Sequence, residues 1–575
     1  MSEYNIEYLQ TKAGLDTVMV NGYLLHSKYA PLQEAKQLAK REVQQDYIHI
    51  LFGNGLGYIG NEIADLLEQK GNLIVVDPLF NQLKQSLKPQ VNSIVIKSMD
   101  ENKIKEQLLL QTENFERKIK VICSPNYDKL FQQEYIRLLK IVKDYQNTLL
   151  VNENTIRLFS KSWQENYVKN LLFMCEDISL QELIGAYTLP VIIASGGPSL
   201  TKQLPKLKEI APYCIIISAG STINSLLAAG IEPDYIVSID GAPENLIHFK
   251  NLQTKSAKLV YSVGNYYKIQ EEYRGERIAF IPMKEERLQN YIKSKIGSKF
   301  PVVFGGGSVA NFALHIATLI SSGPIAIIGQ DLAYTNNELH AKNNRNSELF
   351  DEEEILNSRE LLEIEGYLGD KVYTTYEYLP MKESFEAFLK TEIYNNAIYN
   401  CTEGGAKIIG MEQIPFVEFC TTYIQPSSEK VQEKNITFKH NSIKLSSFIN
   451  TMEKELSIYK EMKVEIKIAL KEVKATEATS TFTLKILKTL DKIDKKLKKN
   501  FNLVILERIA DPLILDIMTN FKPSKKETKV DEFNRIYKQN ILMYSGLLYV
   551  IEQTEIYVKE VIEMANRQLT QGEII

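Results

Sequence analysis

Four stretches of the chain place glycines, hydroxyls, acids or a histidine directly after short apolar runs. In "VIIASGGPSL", residues 191–200, Ser195, Gly196 and Gly197 follow four apolar residues, and Pro198 and Ser199 open a helix. Successive glycine N–H groups and the positive end of a helix dipole suit an anion. The lysine of a nucleotide-triphosphate loop is missing, and no G-x-x-x-x-G-K-[ST] occurs anywhere in the sequence. The alternative is a tight strand-to-helix turn with a capping serine. In "ISAGSTINSLLAAGIEPDYIVSIDG", Ser218, Gly220, Ser221 and Thr222 repeat the design, and the helix they open stops at Gly230. Asp240 then ends the next apolar run. Such an acid serves a metal, a ribose or a base, or caps the following turn. There is no strict D-x-D, the pair with which many nucleotide-diphosphate sugar enzymes hold a divalent ion, so a donor with one phosphate and no metal fits better.

The third stretch is "FGGGSVANFALHIATL". Gly306, Ser308 and Ala310 approximate the G-x-S-x-G of a serine nucleophile, but the last glycine is replaced and no companion histidine can be identified. The preferred reading is a third anion-facing helix start, with Gly307 before it, Ser308 as cap and His315 as an ordinary helix residue. In the fourth, "IAIIGQDLAYTNNELHAK", Gln330 and Asp331 leave an apolar run, Tyr334 follows, and His340 sits in an asparagine-rich loop. A histidine of near-neutral pKa is a natural acceptor for a hydroxyl proton.

Such residues need a scaffold. Short apolar runs at 191–194, 214–218, 235–239, 258–262, 278–281, 302–304 and 325–328 lack polar alternation, which predicts strands buried on both faces of a largely parallel sheet. Ligands of such sheets bind at the carboxyl ends of the strands, where these residues cluster. A separate α/β unit precedes them. In "YIHILFGNGLGYIGNEIADLLEQKGNLIVVDP", Gly55, Gly57 and Gly60 match G-x-G-x-x-G and Asp77 ends the next strand, the pattern of dinucleotide folds, of S-adenosylmethionine folds and of Rossmann-like domains without a ligand. From residue 431 onward only Gly546 and Gly572 remain of 28 glycines, so the tail reads as long helices. In residues 481–500, Phe482, Ile486, Leu490, Ile493 and Leu497 recur at helical spacing, and seven lysines read as the solvated face. Pro512 and Pro523 mark expected helix junctions.

The whole is an α/β protein with expected domains at 1–170, 171–428 and 429–575, the last all-α. A formal charge of −4 argues against a nucleic-acid binder. Five scattered cysteines give neither a disulfide framework nor a metal knuckle and fit a reducing cytoplasm. The first residues show no basic stretch followed by an apolar one, so secretion by a signal peptide is not expected, and no apolar run reaches membrane-spanning length.

Together, "ASGGPSL", "SAGSTINSLLAAGIEPDYIVSID", "GGGSVANFALHIATLISSGPIAIIGQDLAYTNNELHA" and the upstream "VNGYLLHSKYAPLQEA" resemble the motility accessory factor (Maf) family of bacterial flagellin glycosyltransferases. The resemblance spans roughly residues 16–420. It implies a cytoplasmic enzyme that moves a nonulosonic acid, pseudaminic or legionaminic in type, from its CMP ester to serine or threonine hydroxyls of flagellin. It also implies a Rossmann-like N-terminal domain, a sialyltransferase-like central domain and a helical C-terminal domain that could bind flagellin. By position, Ser195, Gly196, Gly197, Pro198 and Ser199 would cradle the cytidylate, and Ser218, Gly220, Ser221, Thr222 and Asp240 would complete the nucleotide side. Gly307, Ser308, Gln330 and Asp331 would face the sugar. His340 would take the acceptor proton, with Tyr334 as a further polar contact. No cofactor is required on this reading and no divalent metal is expected. Two alternatives stand beside it: a hydroxymethylpterin-type diphosphokinase using ATP and magnesium with Asp240 as metal ligand, and a flagellin-binding scaffold without catalysis.

Overall fold

Val191–Ala194, Ile215–Ala219 and Ile325–Ile328 are strands in which every residue is buried. Val191, Ile193, Ile215, Ile217, Ile325 and Ile327 pack into one apolar cluster. Ile192, Ala194, Ile216, Ala326 and Ile328 pack into another. Alternate residues of a strand point to opposite faces, so the sheet is covered on both sides and its strands carry no polar alternation. Each buried isoleucine or valine stabilises by about 1.5–3 kcal/mol.

The structure, a computed structural model, describes residues 4–12, 14–44, 47–67, 72–84, 92–97, 99–112, 118–283, 286–297, 299–334, 340–345, 361–391, 393–426, 445–523 and 527–572. Two compact units emerge from its contacts. Unit 1 comprises Met1–Leu158, Ala475–Phe482 and Asp511–Met543; unit 2 comprises Phe159–Lys474, Thr483–Ala510 and Tyr544–Ile575.

In unit 1 a four-stranded parallel sheet runs in the order Asn92–Ile96, Asn72–Val76, Tyr47–Phe52, Lys118–Cys123. The helix Tyr58–Leu67 follows the glycine turn of residues 53–57 and buries Ile59, Ile63, Ala64 and Leu67. A three-stranded antiparallel sheet precedes it.

The sheet of unit 2 runs in the order Val302–Val303, Arg277–Pro282, Lys258–Ser262, Tyr235–Ser238, Ile215–Ala219, Val191–Ala194, Ile325–Ile328, Ile398–Asn400, Glu412–Gln413. Every pairing along it is parallel. From Val191–Ala194 the chain works outward to Val302–Val303, then returns through the helix Val309–Ile320 and adds Ile325–Ile328 on the other side of Val191–Ala194. The strand order therefore reverses at Val191–Ala194, and the crevice beyond that point is the standard ligand position of an open α/β sheet. The helix Leu200–Ile210 packs into one face cluster through Leu200, Leu207 and Ile210, and Val309–Ile320 packs into the other through Ala313, Ile316 and Ile320.

All seven runs read as strands in the sequence are strands here. The tail is helical among the described residues, with helices Leu445–Ala475, Leu484–Phe501, Glu507–Asn520 and Lys529–Gly572. Leu484–Phe501 buries Leu490, Ile493 and Leu497, and the Thr483 side chain caps its start by accepting from Ile486 N. Pro523 lies beyond the end of Glu507–Asn520, but Pro512 lies inside it, against the expected junction. The proline removes one backbone bond at a cost of about 3 kcal/mol, which burial of Ile509, Ala510, Leu513 and Leu515 offsets. No helix among the described residues is long and apolar enough to cross a membrane.

Candidate functional site

Loops leaving Val191–Ala194, Ile215–Ala219 and Ile325–Ile328, with the start of the helix Val309–Ile320, enclose a cleft with about 650 Å³ of atom-free space. Ser195, Gly196, Gly197, Ser221, Thr222, Ser308, Gln330, Asp331 and His340 all line it. Sequence positions 195 to 340 thus converge at the reversal point of the sheet.

The glycine loop reaches this place through a set of ties. Ser195 N donates to Ile328 O at 2.9 Å and Gly197 N to Gly329 O at 2.7 Å. Asp331 Oδ2 accepts from Ser199 Oγ at 2.7 Å and from Ser199 N at 3.2 Å. A Cβ at Gly197 would collide with the same carboxylate oxygen and lie 2.6 Å from Gly329 O, so glycine is required by close approach. The Gly197 amide is consequently spent inside the protein. Of the two glycine N–H groups read as an anion cradle, only that of Gly196 is left for a ligand.

The remaining polar groups of the cleft are better placed for one. Val309 and Ala310 line it as the first residues of their helix, and amides in a first turn have no intrahelical acceptor. Ser308 is the N-cap, and its own amide and Oγ donate to Asn311 Oδ1 at 3.2 and 2.8 Å. Ser195 Oγ, Thr222 Oγ1 and Gln330 Oε1 are buried without a hydrogen-bond partner. Three orphaned oxygens around one cavity are a costly arrangement for a protein with nothing to bind, at about 1–3 kcal/mol each. No lysine or arginine is among the described residues lining the cleft.

Ala341 N donates to Gly196 O at 2.8 Å, which fastens the loop after His340 onto the glycine loop and sets the imidazole at the cleft. Asn344, 1% exposed, lines the cleft beside Gly196, where a Cβ would meet its Nδ2. Leu332 adopts φ 50, a left-handed conformation that costs a leucine about 1–3 kcal/mol. Thr374 Oγ1, donating to Leu332 O at 2.7 Å, and Ala406 N, donating to Asp331 O at 2.7 Å, hold it there.

Other residues singled out in the sequence stand behind or away from this wall. Ser199 acts through Asp331, and Pro198 lies beside it in the turn. Ser218 is fully buried in its strand with an unpartnered hydroxyl, and Gly220 takes φ 54 with Val309 packed against it. Gly307 abuts Met381. Asp240 does not line the cleft; its Oδ1 accepts from Ala242 N at 2.9 Å, the turn-capping alternative. Tyr334 lines a different cavity. His315 is buried in its helix, accepts from Phe304 N at 2.5 Å, and is pushed down to about 4 by burial. Asn344, Tyr378 and Met381 line the cleft without having been singled out. The asparagine-rich run around His340 held the signal for Asn344; the other two carried none.

The glycine turn of unit 1 is a different matter, because the protein fills it. Asn54 N donates to Asp77 Oδ2 at 2.9 Å, Gly55 N to Tyr127 OH at 3.0 Å, and Leu56 N to His26 Nε2 at 2.8 Å. Tyr127 OH donates in turn to Asp77, whose carboxylate is fully buried. The amides that would meet a pyrophosphate and the acid that would meet a ribose are bonded to one another through Tyr127. A dinucleotide does not fit this arrangement.

A solved structure bears on the whole chain. A Maf glycosyltransferase from Magnetospirillum magneticum AMB-1 aligns over 98% of this chain and 92% of its own, with 14% identity and a TM-score of 0.51. The fold is that of a Maf glycosyltransferase. A family model described as 6-hydroxymethylpterin diphosphokinase MptE-like matches residues 165–337, which carry most of the cleft. A search of the curated proteins finds no match.

Proposed function

We propose that the cleft of unit 2 holds a CMP-activated nonulosonic acid and that the protein transfers the sugar to serine or threonine hydroxyls of flagellin in the cytoplasm. The observation that carries this reading is the set of unpartnered oxygens on Ser195, Thr222 and Gln330 around the start of the helix Val309–Ile320. A CMP-sugar acid brings two anionic groups, one phosphate and one carboxylate, and many hydroxyls. Helix amides and neutral hydroxyls match that ligand better than they match a triphosphate, which carries more charge than such donors offset. The likeness in fold to a Maf glycosyltransferase supports the same reading.

In the reaction the acceptor oxygen attacks the anomeric carbon from the face opposite the phosphate. The bond between that carbon and the phosphate oxygen breaks, CMP leaves with the electron pair, and configuration inverts. His340 takes the proton of the acceptor hydroxyl. Asp331, just beyond Ile325–Ile328, holds the glycine loop through Ser199 and so shapes the donor seat. Replacing His340 by alanine is expected to lower transfer by about 10²–10⁴-fold while leaving stabilisation by CMP intact. A variant that transfers as well as the parent would remove His340 from the mechanism.

A second reading has its own support in the match of residues 165–337 to the MptE-like family model. It takes ATP with magnesium and passes a diphosphate to a pterin alcohol. Asp240, the acid it would give to the metal, lies off the cleft wall. Nucleotide preference separates the two readings. A scaffold would bind flagellin and be indifferent to the His340→Ala change.

A further inference from the structure

A second cavity, with about 750 Å³ of atom-free space, is walled by Lys202, Tyr334, Tyr367, Asp370, Glu403 and Gly405. Tyr334 directly follows Ile325–Ile328 and its short turn, and Glu403 to Gly405 follow Ile398–Asn400, so the cavity occupies the next strand ends along the sheet. One run of chain divides it from the glycine cleft: Gly329 to Ala333 face the cleft, and Tyr334 faces the second cavity. The partition is firmly held. Ala406 N donates to Asp331 O at 2.7 Å, Tyr334 N donates to Tyr373 O at 2.8 Å, and Gly405 sits so close to the Asp331 backbone that a Cβ there would collide with it.

Tyr367 carries the argument for a ligand. It is 8% exposed, its amide donates to Gly405 O at 2.8 Å, and its carbonyl accepts from Gln413 Nε2 at 2.8 Å. Its hydroxyl is nevertheless buried without any hydrogen-bond partner. A phenol fixed at both backbone ends, left unsatisfied at the wall of a cavity, calls for a polar atom from outside the chain. The rest of the lining says which kind. Asp370 and Glu403 supply two carboxylates to the lining and Lys202 one ammonium, whose Nζ donates to Glu403 O at 2.8 Å; the net charge is negative, so a phosphate would be repelled. Gly404 and Gly405 leave bare main chain at the wall, and Leu368, 79% exposed, stands at the rim. Tyrosines, bare backbone, charged groups of both signs and an exposed leucine are the mixed surface that meets a polypeptide segment.

We propose that this cavity seats the polypeptide carrying the acceptor hydroxyl, with Tyr367 hydrogen-bonding the segment and Leu368 covering it. The proposal rests on the transferase reading and not on which sugar is carried. It is tested with the full-length chain and purified flagellin as probe, measuring flagellin affinity and, in parallel, thermal stabilisation by CMP. Tyr367→Phe removes only the unpartnered oxygen, and Leu368→Asp alters only an exposed side chain. Each is expected to weaken flagellin binding by about tenfold with stabilisation by CMP unchanged, which also certifies the fold. Unchanged flagellin affinity in both variants, or no flagellin binding by the parent protein, overturns the proposal. Binding of a soluble oligosaccharide that is lost in Tyr367→Phe while flagellin affinity is kept overturns it in favour of a carbohydrate acceptor. Flagellin binding that behaves as expected without any response to CMP supports this seat while counting against the donor assignment.

Discussion

Thr222 is fully buried, and its Oγ1 has no hydrogen-bond partner. Valine has the same shape without the oxygen, so Thr222→Val is expected to raise the stability of the free protein by about 1 kcal/mol and to weaken donor binding. Chemical denaturation and a ligand titration of the same variant read both effects; a variant less stable than the parent would mean that the hydroxyl has a structural role. At this scale the sequence was informative where polar residues follow an apolar run, since a strand's carboxyl end is a chemically defined place. Ser195, Thr222, Gln330, Asp331 and His340 were legible for that reason. The sequence could not show that Gly197 turns its amide inward to Gly329 O, because that depends on a strand more than a hundred residues away. Nor could it show that Tyr378 and Met381 reach the cleft, because their spacing with Phe385 and Phe388 reads as an ordinary buried helix face.

Among the elements, the helix Leu445–Ala475 is anchored by one buried carboxylate. Glu455 is fully buried; it accepts from Tyr291 OH at 2.6 Å, Tyr459 OH at 2.7 Å and Ile505 N at 3.1 Å, and it pairs with Lys295 Nζ at 3.1 Å. Replacing it by alanine strands a lysine, two hydroxyls and an amide in the interior. Glu455→Ala is expected to cost about 3–5 kcal/mol, read as a lowered denaturation midpoint, whereas a cost under about 1 kcal/mol would show that the cluster is already hydrated. Apolar strands and amphipathic helices were legible as elements because their residues form uninterrupted apolar runs or recur at helical spacing. Ile398–Asn400 and Glu412–Gln413 were not, since Asn400, Glu412 and Gln413 break any apolar run; Ile398–Asn400 joins the sheet along Ile325–Ile328, and Glu412–Gln413 along Ile398–Asn400 in turn. The glycine turn of unit 1 illustrates the opposite failure: its pattern is complete, but Tyr127 and His26, from elsewhere in the chain, occupy what the pattern would leave open.

For the molecule as a whole, three buried histidines set a pH dependence. His26, His49 and His315 are each held down to about 4, chiefly by burial. Unfolding returns them to the ordinary value near 6.5, so between about 4 and 6.5 the unfolded chain binds more protons than the folded one. Stability is therefore expected to be full above pH about 6.5 and to fall as the pH drops through this window, by up to about 1.4 kcal/mol per pH unit for each histidine. Denaturation midpoints between pH 4.5 and 7.5 check this, and His315→Asn should flatten the slope; a slope unchanged by that substitution would contradict the assignment.

The central claim is that the cleft at the reversal point of the sheet receives a nucleoside monophosphate through helix amides and neutral oxygens. Its most direct test is thermal stability of the full-length protein with CMP, CDP, ATP, S-adenosylmethionine and NAD, each with and without magnesium. Stabilisation by CMP without metal is expected, about 2.7 kcal/mol at a hundred times its dissociation constant, weakened in Thr222→Val, with no response to NAD or S-adenosylmethionine. Stabilisation by ATP with magnesium alone, and none by CMP, would rule out the monophosphate-sugar donor and favour the diphosphokinase reading.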